Sequence, residues 1–329
     1  MCGQNYHERM TQIQDTSREM RIDPDSFAGG YFRNAVYRHW DPYGDIPQEL
    51  LEQDRERIID SEIEFEQFEA FRASVAKFGA GEEAVTEDLA PLMLVLEDIN
   101  DQMFVSTQIY EEANHTQFFD RYWREVINPA AEAKGWEVTN PTDQRYFNDD
   151  YIELFDRTEE AMHRLLEEGE NTPTNQARAY CHYHLVVESV LAQTAYWGFQ
   201  ANFSDSGPER WNDEGEQLVL DGLIEGITRI RSDEGRHVGF GMHKVQTLIA
   251  EEEVDPDIVQ DTLTELLPLV AGTVQSKFDT GSDPTPLIEY AHEKLSRRIE
   301  IITNAEAELP PVEELVKIEG AEDIAPADD

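Results

Sequence analysis

The chain has 329 residues, and its 70 acidic residues outnumber its 26 basic ones, which gives a formal net charge of −44. This charge argues against nucleic acid as a partner, because phosphate recognition requires a basic face, and anionic membrane surfaces would repel the chain. The composition is nevertheless 40% hydrophobic and 10% aromatic, enough to bury a core and untypical of disordered acidic chains. No run of 18 apolar residues is present, so we expect no membrane span.

Lysine is scarce among the basic residues, with 6 Lys against 20 Arg. Together with a sequence pI near 4.3, this bias predicts a cytoplasmic protein of a halophile, working in molar salt. At that ionic strength the Debye length is about 3 Å, so self-repulsion of the acidic surface is screened. Cys2 and Cys181 form neither a disulfide framework nor a thiolate zinc site, which fits a reducing cytosol.

In chain order, residues 1–48 carry the breakers Gly29-Gly30 and Asp41-Pro42 and predict an arm with short helices. Helical patterns dominate residues 49–305, where no alternating strand pattern occurs, so we predict one all-α domain. The predicted helices span residues 48–60, 61–97, 100–128, 148–168, 174–203, 213–250, 255–277 and 284–304. Residues 306–329 include Pro310-Pro311 and no aromatic side chain, and they predict a mobile acidic tail.

The helix predicted over residues 61–97 carries one carboxylate in its apolar stripe. Its apolar residues recur at alternating steps of three and four, as in the buried seam of a helical bundle. They are Phe68, Phe71, Val75, Phe78, Val85, Leu89, Leu92 and Leu96. The one stripe position missing from this series is Glu82. A lone carboxylate in such a seam costs several kcal/mol unless something pairs with it.

The next predicted helix places two polar residues on its apolar stripe. Glu112 and His115 lie between Val105 and Val126 on that stripe. Residues three apart lie on one face of a helix, one turn from each other. The two side chains are therefore expected to point into the same buried space as Glu82.

The same pair of helices recurs later in the chain. Glu188 is the lone acid on the stripe of residues 174–203, and Glu234 and His237 lie on that of residues 213–250. Four carboxylates and two imidazoles then converge, which is the ligand set of a dinuclear carboxylate site in a ferritin-like four-helix bundle. Oxygen and nitrogen ligands without thiolate suit iron or manganese. The alternative is a set of buried ion pairs, which would carry the burial penalty on four helices without a function.

The spacing Glu-x-x-His is weak evidence by itself, because it occurs twice more. Glu160/His163 and Glu289/His292 have the same spacing but fall beside the apolar rows of their helices. For these pairs we expect a solvated helix face.

At the motifs, the sequence resembles the ligand-binding oxidases related to the small subunit of ribonucleotide reductase. The matching segments are Gly81-Glu82-Glu83-Ala84-Val85-Thr86, Glu111-Glu112-Ala113-Asn114-His115-Thr116, Tyr183-His184-Leu185-Val186-Val187-Glu188 and Asp233-Glu234-Gly235-Arg236-His237. The resemblance runs in order over about residues 60–250 and is loose between the motifs. The interval from Glu188 to Glu234 is longer than usual in the family, and that from Glu82 to Glu112 is slightly shorter.

The resemblance implies a ferritin-like fold, a manganese–iron pair, activation of dioxygen and a reductant of unknown identity. Glu82, Glu112 and His115 would serve the first metal, and Glu188, Glu234 and His237 the second, with Glu112 bridging. It also implies a long-chain fatty acid bound at the metals, a homodimer, and an ether crosslink between Val85 and Tyr183. On physical grounds we further expect Phe78, Phe119, Leu191 and Ile230 to exclude water, and Asp233 to accept a hydrogen bond from a ligand histidine.

Three other functions remain open from the sequence. Many ribonucleotide reductase small subunits carry a radical tyrosine four residues after the first ligand histidine, where this chain has Phe119, and an aromatic residue in the tail, which residues 308–329 lack. Metal storage is a second possibility, although ferritin chains are usually much shorter. A related oxygenase acting on an amine or a carrier-bound acyl chain is the third.

Overall fold

The computed structural model describes residues 21–208, 217–252, 254–275, 283–304 and 307–318. Within these ranges every regular element is helical and no strand occurs, which confirms the predicted all-α class. No helix there is both long enough and apolar enough to cross a membrane. The helices are α1 (Phe27–Tyr37), α2 (Gln48–Asp60), α3 (Phe65–Val95), α4 (residues 99–133), α5 (Asp149–Arg164), α6 (residues 173–203), α7 (Asp221–Glu251), α8 (Pro256–Thr273), α9 (Thr285–Thr303) and α10 (Val312–Leu315).

Two of these helices are interrupted by π-helix. In α4 a π-helical segment, Trp123–Ile127, joins the α-helical Ile99–Tyr122 to Asn128–Ala133. In α6 a longer one, Cys181–Ala192, lies between Pro173–Tyr180 and Gln193–Phe203. A separate 3-10 turn, Gln144–Tyr146, precedes α5.

The helix ends differ from the predicted ones where local chemistry stops the helix. α3 begins at Phe65 and not at 61, because the Glu64 side chain caps the first turn while Gln67 bonds back to the Glu64 backbone. α5 ends at Arg164, short of the predicted 168, and Gly169 then takes a positive φ of 86°. The predicted start of the helix at 213 lies outside the described residues.

The core is a bundle in which α3 packs along α4, and α7 packs along α6 and also contacts α4. Close helix approach at α7 depends on small residues. A Cβ on Gly226 would overlap the Phe118 ring, and one on Gly241 would lie 2.2 Å from the His184 Cβ. Because these two glycines have no side chain, α7 can approach α4 and α6 closely enough for its inward side chains to reach theirs.

A carboxylate from another helix caps the start of α7. Asp54 of α2 accepts hydrogen bonds from the backbone N–H groups of Gly222 (3.2 Å) and Leu223 (2.9 Å). The Tyr122 hydroxyl donates to the same carboxylate at 3.0 Å. Because these N–H groups have no partner within their own helix, Asp54 both satisfies them and fixes the position of α7.

The first and last helices of the described residues, α1 and α10, both lie against α7. The predicted N-terminal arm contains α1, whose Tyr31 hydroxyl would lie 2.4 Å from a Cβ on Gly239. Residues 312–318 belong to the predicted mobile tail, yet Leu315 and Ile318 are buried and Val312 packs on Gly235. Apolar side chains explain this docking. Residues 1–20, and residues 319–329 of the predicted tail, lie outside the described part of the chain.

Candidate metal centre

The six residues predicted as ligands meet at the centre of the bundle. Their donor atoms form two groups in which all atoms lie within 4.8 Å of one another. One group is Glu82, Glu112, His115 and Glu234, and the other is Glu112, Glu188, Glu234 and His237. Glu112 is shared, as the resemblance implied, and Glu234 is shared as well. All six side chains are buried.

His115 points one ring nitrogen at the carboxylates and the other at an outer acceptor. Its Nδ1 lies 3.3 Å from both Glu82 Oε2 and Glu112 Oε2. Its Nε2 lies 3.1 Å from Asp233 Oδ2, which also accepts the Trp40 indole N–H at 2.8 Å. Asp233 thus holds the ring with Nδ1 free for a metal, the role expected for it from the sequence.

His237 has the same arrangement with a different acceptor. Its Nδ1 lies 3.1 Å from Glu112 Oε1, and its Nε2 lies 2.8 Å from Glu111 Oε2. The Arg236 guanidinium donates to Asp233 Oδ1 at 2.6 Å and also to Glu111 Oε1. One buried cation therefore neutralises and links the acceptors of both histidines.

A neutral polar chain supports Glu188. Gln108 donates from Nε2 to Glu188 Oε1 at 2.8 Å, and its Oε1 lies 3.3 Å from His184 Nε2. Burial first, and then the nearby charge of His237, hold the pKa of His184 well below its usual range. A neutral His184 can donate from Nε2 to Gln108 without adding charge beside the centre.

The centre carries donor atoms that the protein alone leaves without partners. Burial raises the pKa of Glu82, Glu188 and Glu234, and repulsion from Glu112 raises each of them further. Burial opposes ionisation of Glu112 too, but His237 and His115 bring its pKa well below the usual value. Within the described residues Glu188 Oε2, Glu234 Oε2 and His237 Nδ1 have no hydrogen-bond partner. Unpartnered oxygen and nitrogen donors that converge in this way fit a pair of divalent cations.

A cavity of about 200 Å³ adjoins the centre. Its inner end is lined by the four ligand carboxylates and Val85, and its walls include Phe78, Val187, Leu191, Phe155 and Phe199. The lining continues to Ser74, which is exposed, so the cavity extends from the centre toward the surface. At that end Lys77 Nζ donates to the Thr273 carbonyl at 2.7 Å and joins α3 to α8.

The two residues of the implied crosslink both lie at the centre. Val85 is 4% exposed and lines the cavity, and Tyr183 is fully buried. The Tyr183 hydroxyl donates to Glu112 Oε1 at 3.0 Å. Burial and the surrounding carboxylates raise the pKa of Tyr183 well above its usual value, so the phenol keeps its proton.

Aromatic rings close the centre on the side of the cavity. Phe78 stacks on Phe119 at 5.5 Å and on Tyr196 at 5.2 Å between ring centroids. Leu191 lines the cavity and Ile230 is fully buried, so the expected water-excluding residues all lie in apolar packing. The four residues of the remaining Glu-x-x-His pairs are exposed on α5 and α9, as expected of a solvated face.

Sequence reasoning missed four residues around the ligands. Glu111 and Arg236 are each adjacent in sequence to a ligand, and Gln108 lies one turn before Glu112. A buried charge next to a predicted ligand could have indicated the first two. Trp40 gave no such signal, because only the fold brings it to Asp233.

Solved structures that are similar to this chain contain a Mn/Fe cofactor. No family model matches the sequence. An R2-like ligand-binding oxidase with an aerobically reconstituted Mn/Fe cofactor is 26% identical with a TM-score of 0.69, covering 85% of this chain and 93% of that one. A single-residue variant with the same cofactor is 27% identical with a TM-score of 0.69, covering 85% and 94%. A second variant, reconstituted anaerobically, is 26% identical with a TM-score of 0.70 and the same coverage. These matches confirm the ferritin-like fold and the resemblance to this class of oxidases.

Proposed function

We propose that this protein is an oxygen-activating dimetal oxidoreductase that holds manganese and iron at its bundle centre. The observation that carries the proposal is the pair of buried donor groups that share Glu112 and Glu234 and contain unpartnered donor atoms. The similar solved structures are oxidases that contain a Mn/Fe cofactor, which supports the same pair here. Glu82 and His115 complete one group, and Glu188 and His237 complete the other.

The charge of the site matches two divalent cations. The four ligand carboxylates carry four negative charges when ionised, and the two ligand imidazoles bind as neutral donors. Asp233 and Glu111 hold those imidazoles in the tautomer that leaves Nδ1 free. When bound, the reduced metal pair supplies two electrons to dioxygen. The low-polarity wall of Phe78 and Phe119 keeps bulk water from the reacting oxygen.

The cavity supports a long-chain fatty acid as the bound ligand. Its walls are mostly apolar and its inner end is built from the four ligand carboxylates, so an acid could place its head group at the metals and its chain along Leu191 and Phe199. The ligand is tested by solvent extraction of the purified protein and mass spectrometry of the carboxylic acids released.

A cavity-filling variant and a matched control sharpen this test. Ala195 lines the cavity, so Ala195→Phe should lower the amount of bound acid, whereas Ala90→Phe on the exposed side of α3 should leave it unchanged. Wild-type protein that releases no acid, or equal release from both variants, contradicts the proposed ligand.

The positions of Val85 and Tyr183 support an ether crosslink between them. Its formation breaks one C–H bond of Val85 and the O–H bond of Tyr183, forms a C–O bond, and releases two protons and two electrons. With two electrons from the reduced metal pair and two protons from solvent, these reduce one dioxygen to two waters. The hydrogen bond from Tyr183 aims its proton at Glu112 Oε1.

Aerobic reconstitution with manganese and iron tests the function and the crosslink separately. Element analysis should find both metals, and intact mass should fall by two hydrogens, with peptide mapping joining the segments that contain Val85 and Tyr183. Tyr183→Phe should bind both metals without the mass loss. Fully metallated wild-type protein without the loss refutes the crosslink alone, whereas metal-free protein refutes the dimetal function.

The same proposal includes a homodimer, an external reductant and a cytosol of molar salt. The acidic surface supports the last of these, because screening of its repulsion stabilises the compact state. Light scattering after size exclusion measures the mass of the particle, and thermal unfolding in rising KCl measures the salt effect. A midpoint that falls from low salt to about 1 M KCl would contradict the molar-salt environment.

A further inference from the structure

A second cluster of metal-type donors lies between α3 and α5, apart from the bundle centre. Donor atoms of Asp88 on α3 and of Glu159 and His163 on α5 lie within 4.8 Å of one another. Glu159 and His163 are exposed and four residues apart, so they share one face of α5. Asp88 is only 6% exposed and closes the inner side of the cluster.

Helix packing fixes the position of this cluster. α3 and α5 run in the same direction in contact, because the Tyr151 hydroxyl donates to the Lys77 carbonyl at 2.9 Å and a Cβ on Gly81 would lie 3.3 Å from Phe155 Cζ. About two turns further along both helices, the same parallel packing places Asp88 of α3 beside Glu159 and His163 of α5. The donors of the cluster therefore come from two packed helices and not from loose surface side chains.

The Asp88 carboxylate lacks the partner that other buried carboxylates in this protein have. Among the described residues no hydrogen bond or ion pair reaches Asp88, whereas Asp54 and Asp233 each accept several. Burial first, and then the charge of Glu159, raise the pKa of Asp88 to about 6, and the nearby His163 lowers it only in part. A buried carboxylate of this kind is costly unless a cation is added to it.

The neighbouring Glu160 gives an internal contrast. It has the same Glu-x-x-His spacing to His163, but its Oε1 accepts a hydrogen bond from Arg164 at 2.8 Å. It is exposed and is not among the clustered donors. The residue one turn before His163, Glu159, is the one that faces Asp88.

We propose that Asp88, Glu159 and His163 form a mononuclear site for a first-row divalent metal ion of the Zn²⁺ type. Ligand bonds of about 2.0–2.2 Å allow two donors of one ion to be separated by up to about 4 Å, comparable to the spread of the cluster. One imidazole and two carboxylates suit a borderline ion, and the open outer side leaves room for water as a further ligand. The site is independent of the proposed oxidase function.

The experiment uses full-length protein whose central site has been filled with manganese and iron and cleared of excess metal. Equilibrium dialysis against Zn²⁺ is carried out in about 1 M KCl with excess Mg²⁺, so that diffuse binding to the acidic surface is suppressed. Element analysis then reports zinc, manganese and iron in the same sample. The expected result is one zinc per chain with manganese and iron unchanged.

Matched variants locate the zinc. His163→Gln and Asp88→Asn should each weaken its binding beyond the roughly 10–100-fold typical of losing an outer-shell partner, because each removes a ligand. Glu160→Gln should bind zinc as wild type does. Since His163 and Glu160 are both exposed, circular dichroism should show that neither change affects folding.

Three results would overturn the proposal. They are no zinc uptake by wild type, equal uptake by His163→Gln, or uptake matched by loss of manganese or iron. Failure of the central site to hold its metals would appear as missing manganese and iron and would count against the oxidase function instead. In that case the difference in zinc uptake between the metal-free Glu112→Ala protein and the same protein carrying His163→Gln still measures the surface site.

Discussion

The two halves of the metal centre use the same residues on different helical frames. In the first half Glu82, Glu112 and His115 lie on regular α-helix. In the second half Glu188 lies in the π-helical segment Cys181–Ala192 of α6, opposite Glu234 and His237 on α7. Chain order and ligand spacing thus repeat, whereas backbone geometry does not.

The π-helix explains how two residues of α6 reach the same centre. Tyr183 and Glu188 are five residues apart, a separation that places side chains on different faces of an α-helix. The i→i+5 bonding of a π-helix brings such residues into line. Tyr183 can therefore bond Glu112 while Glu188 is held by Gln108. The first half needs no such distortion, because α3 contributes only Glu82 and the two ligands of α4, Glu112 and His115, have α-helical spacing.

The largest expected difference between ligands is in metal content. Glu112 belongs to both donor groups, whereas Glu188 belongs to one. Glu112→Ala should leave less than one metal per chain. It removes a ligand shared by both donor groups, and it also removes the carboxylate that lies beside both His115 and His237. Glu188→Ala should retain one metal in the first half. Element analysis after reconstitution measures both, and two metals per chain in Glu112→Ala would show that the ligand assignment is wrong.

Removal of the outer acceptors should separate the two halves. Asp233→Asn weakens the hold on His115 and Glu111→Gln the hold on His237, so each should lower the affinity of one metal by about 10–100-fold. Competition with a chelator, followed by element analysis, identifies the metal released first. Because the acceptors serve different histidines, the two variants should release different metals. Loss of the same metal first in both variants would contradict the assignment of one acceptor to each histidine.

Packing tolerance should also differ between the halves. A Cβ on Gly241 meets the His184 Cβ at 2.2 Å, whereas one on Gly79 lies 3.2 Å from the Phe119 Cβ. Gly241→Ala should lower the free energy of unfolding by about 1–3 kcal/mol, the usual cost of overpacking. Gly79→Ala should be close to neutral, because the helix propensity of alanine offsets the tighter contact. Denaturant unfolding compares them, and equal destabilisation would contradict this difference.

The smallest effects are expected at ion pairs near the surface, one exposed and one half-buried. Asp120 pairs with Arg124 on α4 at 2.9 Å, and Glu225 pairs with Arg229 on α7 at 2.8 Å. Asp120→Asn and Glu225→Gln should each cost roughly 0.2–0.5 kcal/mol at low salt and less in molar salt. Denaturant unfolding measures both costs. A cost above 1 kcal/mol for only one of the two variants would show that the halves also differ at the surface.

Much of the site could be predicted because a polar residue on a buried stripe can be recognised within its own helix, without knowledge of distant contacts. Glu82, Glu112, Glu188 and Glu234 stood out as carboxylates on apolar stripes, and both histidines followed from the three-residue spacing. The α-helical stripe did not indicate Tyr183, because a π-helix has a different period; only the family resemblance pointed to it.

Other features depend on contacts that are distant in sequence. Trp40 meets Asp233 only through the fold, and the cross-helix cap from Asp54 to α7 has no local signature. His163 is exposed as predicted, but its own helix does not reveal that Asp88 of α3 lies beside it. The burial of Leu315 and Ile318 within the predicted tail was missed, because a few apolar residues among acids give a weak pattern.

The docking of residues 312–318 on α7 affects the order in which the protein is assembled during synthesis. The segment covers Gly235, between the ligands Glu234 and His237, and it follows all six ligands along the chain. A ribosome therefore releases the ligand helices before the segment that covers the outer side of α7. Packing over the outer side of α7, beside Glu234 of both donor groups and His237 of the second, is therefore completed last.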